Sequence, residues 1–332
     1  MRTRLGLVGL GRIGRLHAAN LAASPNIELV RVVDLNAETA RAMGGELGVA
    51  WSSATADVID DPTIDGVVIA VPTPFHVEVL EAAATGGKHV FCEKPIALEL
   101  EPTVRAIETA RAARVKLQVG LHRRFDPDWA AAAERIHGGE LGEVRFFRSS
   151  LRDMRPPPLE YVASSGGFFV DVTIHDLDTA RWLVGEVEEV TAVTAALSDP
   201  GFAELGDADH AVVVLRFVNG ALGVIDNSRA AGYGYECSAE VMGSAATVRI
   251  DRHRRANTEW LADGRESFER VTDFVELFRE AYRRELESFA ASLRDDREPV
   301  VTGEDALAAF VLAQACERSL REGRTVRVGS SG

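Results

Sequence analysis

The sequence predicts a two-domain α/β fold, in which a domain with a doubly wound parallel sheet is followed by an α+β domain with a large, mostly antiparallel open sheet. In the first 120 residues, short apolar runs alternate with alanine-rich helical segments, which is the pattern of a parallel sheet covered on both faces. After about residue 122, apolar runs follow one another with few helices between them. A glycine-rich turn at residues 9–14 joins the first run to the first helix.

The predicted elements of the first half follow from these runs. The predicted strands are Arg4–Val8, Leu29–Val33, Gly66–Val71, His89–Cys92 and Lys116–Val119. The predicted helices are Ile13–Ala23, Ala37–Leu47, Pro74–Thr85 and Glu99–Ala113. We therefore expect residues 1–122 to form one domain, with a ligand bound at the carboxyl ends of its strands.

The second half, residues 123–332, predicts a second domain. Its predicted strands are Val144–Leu151, Val187–Leu197, Ala211–Phe217, Leu222–Asn227, Tyr235–Met242 and Thr247–Ile250. Asn219-Gly220 lies between two of these runs and predicts a two-residue antiparallel hairpin. Two late helices are predicted at Phe274–Leu293 and Glu304–Glu322, and the last of them could pack back on the first domain.

Composition excludes several classes of partner. The net charge of -14 argues against nucleic acid and anionic membranes, because basic surfaces bind both. No apolar run of the 332 residues is long enough to span a membrane, and the N-terminus lacks the apolar core of a signal peptide. Cys92, Cys237 and Cys316 have no spacing typical of zinc sites or disulfide frameworks. We expect a cytoplasmic protein.

The glycine turn has the spacing of a dinucleotide site. Residues 5–17 read LGLVGLGRIGRLH, in which Gly9, Gly11 and Gly14 form G-x-G-x-x-G between a strand and a helix. The glycines permit a tight turn, close approach of the backbone to a pyrophosphate, and close packing of helix and strand. Asp34 follows the second strand, where a carboxylate binds the adenosine ribose and repels a 2'-phosphate. The pattern predicts a Rossmann domain and favours NAD over NADP, while Arg31 and Arg41 are near enough in sequence to leave NADP open. A plain βα turn is the alternative to a dinucleotide site.

Candidate catalytic residues lie in two segments. Glu93-Lys94-Pro95 closes the apolar run His89–Cys92, where charge is unfavourable unless it is paired or used. In SSGGFFVDVTIHDLD, Asp171 and His175 are four residues apart and would share a face of a helix. Oxidation of a secondary alcohol needs a base, which suits His175, and a positive group, which suits Lys94. Asp171 would orient the histidine or bind a hydroxyl; the alternative is a helix start with Asp171 as its cap and His175 on the surface.

Over nearly its whole length the chain resembles the glucose–fructose oxidoreductase/inositol dehydrogenase/MocA family, and within it the inositol dehydrogenases. AVPTPFHVEVL at residues 70–80 is similar to the family segment beside the nicotinamide. CEKP matches the signature Glu-Lys-Pro, whose proline typically follows a cis peptide bond. HRRFDP at 122–127 is similar to a segment that reaches the substrate. GGFFVDVTIHDLDTARWLVG resembles the stretch with the catalytic aspartate and histidine, and NSRAAGYGYECSAEVMGS the one whose Tyr-Gly-Tyr lies near the substrate.

The resemblance implies a role for each matched position. Lys94 would polarise the hydroxyl, His175 would act as general acid and base, and Asp171 would orient. The implied cofactor positions are Gly9, Gly11, Arg12, Ile13, Gly14, Asp34, Thr73, His76 and Glu93. The implied substrate positions are His122, Arg123, Asp153 and Tyr235. Residues 1–122 would bind NAD, and residues 123–332 would bind substrate and form a homodimer or homotetramer.

The implied activity is NAD-dependent oxidation of a ring secondary alcohol of a cyclitol to a ketone, with myo-inositol to 2-keto-myo-inositol as the first expectation. Three departures from the inositol branch fall around the expected pocket: His122, the LRDM run at 151–154, and Cys237-Ser238. They leave another sugar, scyllo-inositol or an aminocyclitol open as the substrate. A non-catalytic NAD-binding sensor is the alternative from another class, and the presence of Lys94 and His175 disfavours it.

No metal site is expected. The remaining histidines have no metal-ligand spacing, so surface or packing roles are expected for His17, His89, His137, His210 and His253.

Overall fold

The computed structural model describes residues 2–252 and 254–329, and the chain divides into two compact units. The first unit contains the residues up to Phe125 together with Glu280–Leu307. The second contains Asp126–Arg279 and the residues from Ala308 onward. The expected boundary at residue 122 takes no account of the returning segment, which holds most of the second-last helix and only the start of the last one.

Strands and helices alternate up to residue 125. The strands are β1 (Thr3–Val8), β2 (Ile27–Val33), β3 (Ala50–Ser52), β4 (Gly66–Ile69), β5 (His89–Cys92) and β6 (Leu117–Val119). The helices are α1 (Arg12–Ala23), α2 (Ala37–Leu47), α3 (Ala56–Ile59), α4 (His76–Thr85) and α5 (Leu100–Ala112). Short 3-10 helices at Thr73–Phe75 and His122–Phe125 follow β4 and β6.

Strands dominate the middle of the remaining chain, and long helices lie near its end. The strands are β7 (Val144–Arg152), β8 (Val187–Ala195), β9 (His210–Phe217), β10 (Leu222–Ser228), β11 (Glu236–Gly243), β12 (Thr247–Arg252), β13 (Trp260–Ala262), β14 (Arg265–Ser267) and β15 (Val326–Arg327). The helices are α6 (Pro127–His137), α7 (Leu159–Val162), α8 (Ile174–Val184), α9 (Pro200–Glu204), α10 (Phe274–Leu277), α11 (Arg279–Arg294) and α12 (Gly303–Glu322).

The first unit is built on a six-stranded parallel sheet in the order β3-β2-β1-β4-β5-β6. The strand order reverses between β1 and β4, which is the switch point where open parallel sheets bind ligands. Leu286 and Phe289 of α11 pack with Leu5 and Leu7 in one of its apolar cores. This unit confirms the predicted Rossmann fold.

The second unit contains a seven-stranded sheet in the order β12-β11-β7-β10-β9-β8-β15. Strands β7 and β10 pair in parallel, and the other neighbours pair antiparallel. The predicted mostly antiparallel sheet is therefore confirmed. In the described ranges, no helix combines the length and the hydropathy needed to cross a membrane.

The turn between β9 and β10 differs from the prediction. Leu222 pairs with Arg216, so the connection is the three residues 218–220 rather than a two-residue Asn-Gly turn. The Gly220 N–H donates to the Phe217 carbonyl over 2.9 Å, and Gly220 has a φ of 87°. A turn followed by one left-handed glycine is the usual three-residue hairpin, so Asn219-Gly220 signalled the hairpin but not its length.

The predicted helix Phe274–Leu293 is also interrupted. It consists of α10 and α11, separated at Phe278, whose φ of -101° and ψ of 18° are not helical. Phe278 is buried, and its ring lies edge-on to that of Tyr235 in the same unit.

Candidate active site

The glycine loop of the first unit fits a dinucleotide. Gly9 has a φ of 95°, and a Cβ there would lie 2.5 Å from the backbone of Ala70. A Cβ on Gly14 would lie 2.0 Å from the Gly9 carbonyl oxygen. A Cβ on Gly11 would meet no described residue within 4 Å, so the second glycine faces open space at the start of α1. Gly9 thus permits the tight turn, Gly11 leaves room for a ligand to approach the backbone, and Gly14 permits close packing of helix and strand. The residues present fit a pyrophosphate at a helix N-terminus.

Asp34 is fixed to this loop. Its Oδ2 accepts a hydrogen bond from the Leu10 N–H over 2.8 Å, and its Oδ1 accepts one from the Asn36 N–H over 2.9 Å. Leu35, which follows it, is 83% exposed and offers no cation for a 2'-phosphate. At the first positions of α1, Arg12 is exposed and Ile13 is half-buried. The Asp34 carboxylate is therefore held at the end of β2 by the backbone N–H groups of Leu10, in the glycine loop, and of Asn36.

Lys94 lies on the loop that follows β5. The Glu93 N–H donates to the Ile69 carbonyl over 3.0 Å, which continues the pairing with β4. The Lys94–Pro95 peptide bond is cis, as in the family that the motif resembles. Lys94 itself is half-buried at the carboxyl edge of the parallel sheet. The chain thus carries an ammonium group at the edge where this fold binds its ligands.

His76 links the loops after β4 and β5. Its Nδ1 lies 2.8 Å from the Pro95 carbonyl oxygen, and its Nε2 lies 2.8 Å from the Val71 carbonyl oxygen. The ring is buried, and burial lowers the pKa of His76. Thr73, half-buried, begins the 3-10 helix between Val71 and His76. Both ring nitrogens of His76 face backbone carbonyls, so the histidine ties the Lys94 loop to the neighbouring loop.

Glu93 is directed into the protein. Its Oε1 lies 2.6 Å from Nε2 of the fully buried His17, and its Oε2 accepts a hydrogen bond from the Lys94 N–H over 3.3 Å. A Cβ on Gly120 would lie 3.0 Å from Oε2, so the glycine after β6 makes room for this carboxylate. His17, given only a surface or packing role from its spacing, is thus buried against a carboxylate that also binds the Lys94 backbone.

His122 and Arg123 follow β6, the strand next to β5, and both are buried. The His122 ring stacks on Tyr282, with centroids 4.7 Å apart and planes inclined by 18°. Burial lowers the pKa of His122 well below its usual value, and the charge of Arg123 lowers it further. Near neutral pH the imidazole is therefore neutral and can both donate and accept a hydrogen bond.

In the second unit, Asp171 lies in a π-helical turn, Phe169–Thr173, that runs directly into α8. Gly166 and Gly167 precede it with φ values of 86° and 89°. His175 is half-buried in the first turn of α8. The two residues therefore do not belong to one regular α-helix, and Asp171 is not the cap of α8. Single π turns inside helices are frequent at functional sites.

Two donors hold the Asp171 carboxylate. Tyr161 Oη donates to Oδ1 over 2.8 Å, and a guanidinium nitrogen of Arg229 donates to Oδ2 over 2.8 Å. Arg229 is fully buried, and its guanidinium carbon lies 5.2 Å from the ring centroid of Phe168. Its Nη2 lies 3.8 Å from Oδ2 of Asp207. Burial raises the pKa of the Tyr161 hydroxyl, and the Asp171 charge raises it further. Arg229 and Tyr161 were not recognised in the sequence, because they lie 58 and 10 residues from Asp171.

Asp176, next to His175, anchors α8 to the sheet. It is fully buried and accepts hydrogen bonds from the Ser149 hydroxyl of β7 and, over 3.0 Å, from the Asn227 amide of β10. Its role is therefore to hold the start of α8, and with it His175, on the sheet.

The other predicted substrate residues lie at the ends of neighbouring strands. Asp153 follows β7, is half-buried, and its N–H donates to the Ser228 carbonyl over 2.8 Å. Tyr235 precedes β11 and is only 3% exposed, with its ring edge-on to Phe278. Tyr233 is the exposed tyrosine of the Tyr-Gly-Tyr segment, and its hydroxyl donates to Glu236 over 2.6 Å.

The predicted site residues are divided between the two units. The glycine loop, Asp34, Thr73, His76, Glu93, Lys94, His122 and Arg123 belong to the first unit, and Asp153, Asp171, His175 and Tyr235 belong to the second. Of the other histidines, His253 lies outside the described residues.

Comparison with known proteins identifies the family. Residues 3–121 match the NAD-binding Rossmann fold of the Gfo/Idh/MocA oxidoreductase family, and residues 133–328 match its C-terminal alpha/beta domain. The chain is 41% identical over 329 residues to a myo-inositol 2-dehydrogenase of Thermotoga maritima, covering 98% of each chain. It is 38% identical to a scyllo-inositol 2-dehydrogenase (NAD(+)) of Bacillus subtilis, covering 98% of this chain and 96% of the relative.

A solved structure extends this similarity. The scyllo-inositol dehydrogenase of Lactobacillus casei, with bound NAD(H) and scyllo-inositol, superposes with a TM-score of 0.91 at 28% identity, covering 99% of this chain and 100% of that one. The glycine loop and Asp34 fit the same cofactor. The chain belongs to the Gfo/Idh/MocA oxidoreductase family and is an NAD-dependent dehydrogenase.

Proposed function

We propose that this dehydrogenase oxidises a ring secondary alcohol of a cyclitol to a ketone, and that its reaction is myo-inositol to 2-keto-myo-inositol. The observation that carries the proposal is Lys94, a half-buried ammonium group at the ligand-binding edge of an NAD-binding sheet. Relatives named as inositol dehydrogenases match the chain over 98% of its length, which supports a cyclitol as the substrate.

Each proposed catalytic residue has one task. Lys94 donates a hydrogen bond to the reacting hydroxyl and stabilises the negative charge that develops on its oxygen. His175 accepts the hydroxyl proton in the forward direction and returns it in the reverse direction. Asp171, held by Tyr161 and Arg229, orients the histidine. Bound NAD would supply the hydride acceptor, so that loss of one hydride from the carbinol carbon and one proton from the hydroxyl would convert the alcohol to a ketone.

Substrate and cofactor contacts are proposed for the remaining residues. Gly9, Gly11, Arg12, Ile13, Gly14, Asp34, Thr73, His76 and Glu93 form or support the NAD site of residues 1–122. His122, Arg123, Asp153 and Tyr235 bind the other hydroxyls, with residues 123–332 supplying most of the substrate site. The neutral His122 ring suits a polyol, because a hydroxyl needs both a donor and an acceptor.

A cyclitol panel tests the proposal. Purified protein with NAD should form NADH with myo-inositol at a higher kcat/KM than with glucose or other aldoses, and NADP should support less turnover than NAD. Oxidation of aldoses without oxidation of any cyclitol would refute the substrate class. NAD binding without turnover of any polyol would refute the catalytic roles.

Scyllo-inositol is the second candidate. The observation that favours it is the similarity to two proteins named scyllo-inositol dehydrogenases, at 38% and 28% identity. Scyllo-inositol carries all its hydroxyls equatorially, whereas the 2-hydroxyl of myo-inositol is axial. Comparing kcat/KM for the two isomers in the same panel therefore separates the candidates.

We also propose a cytoplasmic homodimer or homotetramer. One face of the second sheet carries exposed apolar side chains on strands β8, β9, β10 and β11, namely Val193, Val212, Val214, Leu222 and Met242. An apolar face of this kind is stabilised by a second copy of the chain. Light scattering should show an oligomer in the wild type and a monomer after Val214→Glu; a monomeric wild type would refute the proposal.

A further inference from the structure

Three titratable side chains meet inside the first unit. His17 comes from α1, Glu93 follows β5, and Glu285 lies on α11. One nitrogen or carboxylate oxygen from each lies within 4.8 Å of those of the other two. His17 and Glu285 are fully buried, and the side chain of Glu93 is 13% exposed. The cluster comes from three distant parts of the chain and has no sequence motif.

The surroundings of the cluster favour a neutral Glu285. The His17 ring packs edge-on against Phe91 and Tyr282 at centroid distances of 5.5 and 6.0 Å. Within residues 2–252 and 254–329, neither carboxyl oxygen of Glu285 has a hydrogen-bond partner, and neither does Nδ1 of His17. Two buried carboxylates this close cannot both be ionised without a positive charge between them.

We infer that Glu285 keeps its proton in the folded protein and acts as a positioning residue for Glu93 and, through Glu93, for the Lys94 loop. The neutral carboxylic acid leaves Glu93 free to bind His17 through Oε1 and the Lys94 N–H through Oε2. Ionised Glu285 would repel Glu93 and compete for His17, which would loosen the residue that precedes Lys94. The link from Glu93 to Lys94 rests on the proposed function; the proton on Glu285 does not.

The other charged groups around the cluster come from several elements. Arg12 at the start of α1 and Arg123 after β6 act on Tyr282, and Lys94 and Arg123 act on His122. A cation close to a carboxyl group favours its ionised form. Burial, followed by the charge of Glu93, nevertheless raises the pKa of Glu285 well above its ordinary value of 4.5.

The proton on Glu285 makes the free energy of unfolding depend on pH in a defined direction. Above about pH 4.5 the unfolded chain loses the Glu285 proton while the folded chain keeps it, so unfolding releases a proton. The contribution of Glu285 to the free energy of unfolding is therefore fully present below the pKa that Glu285 has in the unfolded chain, and it falls as the pH rises toward the pKa in the folded chain. Over this range the unfolding equilibrium constant rises by about tenfold per pH unit. Glutamine has nearly the same shape and cannot ionise, so Glu285→Gln removes this loss.

The experiment compares wild type and Glu285→Gln by denaturant unfolding of the full chain between about pH 5 and pH 8. Relative to the wild type, the unfolding equilibrium constant of the variant should fall by up to about tenfold for each unit by which the pH rises. The metal content of the variant should equal that of the wild type. Glu280→Gln on the same helix is the matched control. Arg283 and Arg284 lower the pKa of Glu280 to about 2, so its effect should not change over this range.

Two results would overturn the inference. A Glu285→Gln variant less stable than wild type throughout the range would mean that Glu285 is ionised against a protonated His17. A stoichiometric metal ion present in the wild type and lost from the variant would mean that a cation, and not a proton, separates the carboxylates.

The positioning role has its own readout. Glu285→Gln should keep wild-type kcat, whereas Glu285→Ala should lower kcat roughly tenfold or more with little change in the Kd for NAD. Equal kcat in all three proteins would refute the claim that Glu285 positions the Lys94 loop, but it would not bear on the protonation of Glu285. Absence of turnover in the wild type would refute the proposed function, and the unfolding measurement would still decide the state of Glu285.

Discussion

The two groups of candidate site residues are held in different ways. In the first unit, backbone hydrogen bonds at the ends of adjacent parallel strands fix Glu93 and the Lys94 loop, and both ring nitrogens of His76 face backbone carbonyls. In the second unit, side chains fix Asp171, namely Tyr161 and the fully buried Arg229. The first arrangement follows from the topology of the sheet. The second depends on a single buried cation, and we expect it to fail more readily on substitution.

Replacing Lys94 should have the largest effect on catalysis. Lys94→Ala removes the group that stabilises the developing alkoxide, so kcat should fall about a thousandfold or more, while the Kd for NAD changes little. Steady-state NADH formation and a separate NAD titration measure the two quantities. Lys116→Ala, which removes an ion pair with Asp296, is the control and should keep kcat. Turnover near the wild-type value in Lys94→Ala would contradict the role.

Replacing Arg229 should damage both stability and catalysis in the second unit. Arg229→Gln leaves Asp171 and Asp207 without their shared cation, which should cost about 3 to 5 kcal/mol of unfolding free energy. If the protein folds, kcat should fall roughly a hundredfold. Arg229→Lys keeps the charge without the forked geometry and should have intermediate stability. An Arg229→Gln variant with wild-type kcat would show that Asp171 does not need this partner.

Adding one methyl group at either of two glycines of the loop should affect different properties, namely stability at Gly14 and cofactor binding at Gly11. Gly14→Ala should cost about 3 kcal/mol of unfolding free energy, because its Cβ would lie 2.0 Å from the Gly9 carbonyl oxygen. The methyl group of Gly11→Ala would meet no atom of the described part of the chain within 4 Å, so this variant should keep the melting temperature and weaken NAD binding by roughly tenfold or more. Equal NAD affinity in Gly11→Ala and wild type would contradict the assignment of the pyrophosphate to this loop.

Tyr161 should have the smallest effect of the four. Tyr161→Phe removes one hydrogen bond to Asp171 and leaves the Arg229 bond in place, so kcat should fall only about threefold to tenfold. A fall larger than that of Arg229→Gln would reverse the order of importance proposed for the two donors.

Local patterns predicted the first unit well and the second unit less completely. The apolar runs and G-x-G-x-x-G located the sheet, the turn and Asp34. Strand β3 was missed because Ala50–Ser52 is too short for a periodic signal. The spacing of Asp171 and His175 predicted one helix, but a π turn followed by α8 is not visible as periodicity.

Long-range pairs account for the rest of what the sequence did not reveal. Arg229 meets Asp171 only because the end of β10 and the π turn are neighbours in the fold. His17, Glu93 and Glu285 meet because α1, the end of β5 and α11 surround one point of the core. Neither contact has a characteristic spacing along the chain, since the tertiary fold alone brings these residues together.

The most direct test of the account is a double-mutant cycle on kcat for myo-inositol oxidation, with Lys94→Ala, His175→Ala and the double variant, each with its NAD affinity measured. If both residues serve one proton and hydride transfer, the double variant should be only a few-fold slower than the slower single variant. Losses that multiply across the two substitutions would contradict the proposal that Lys94 and His175 act in one catalytic step.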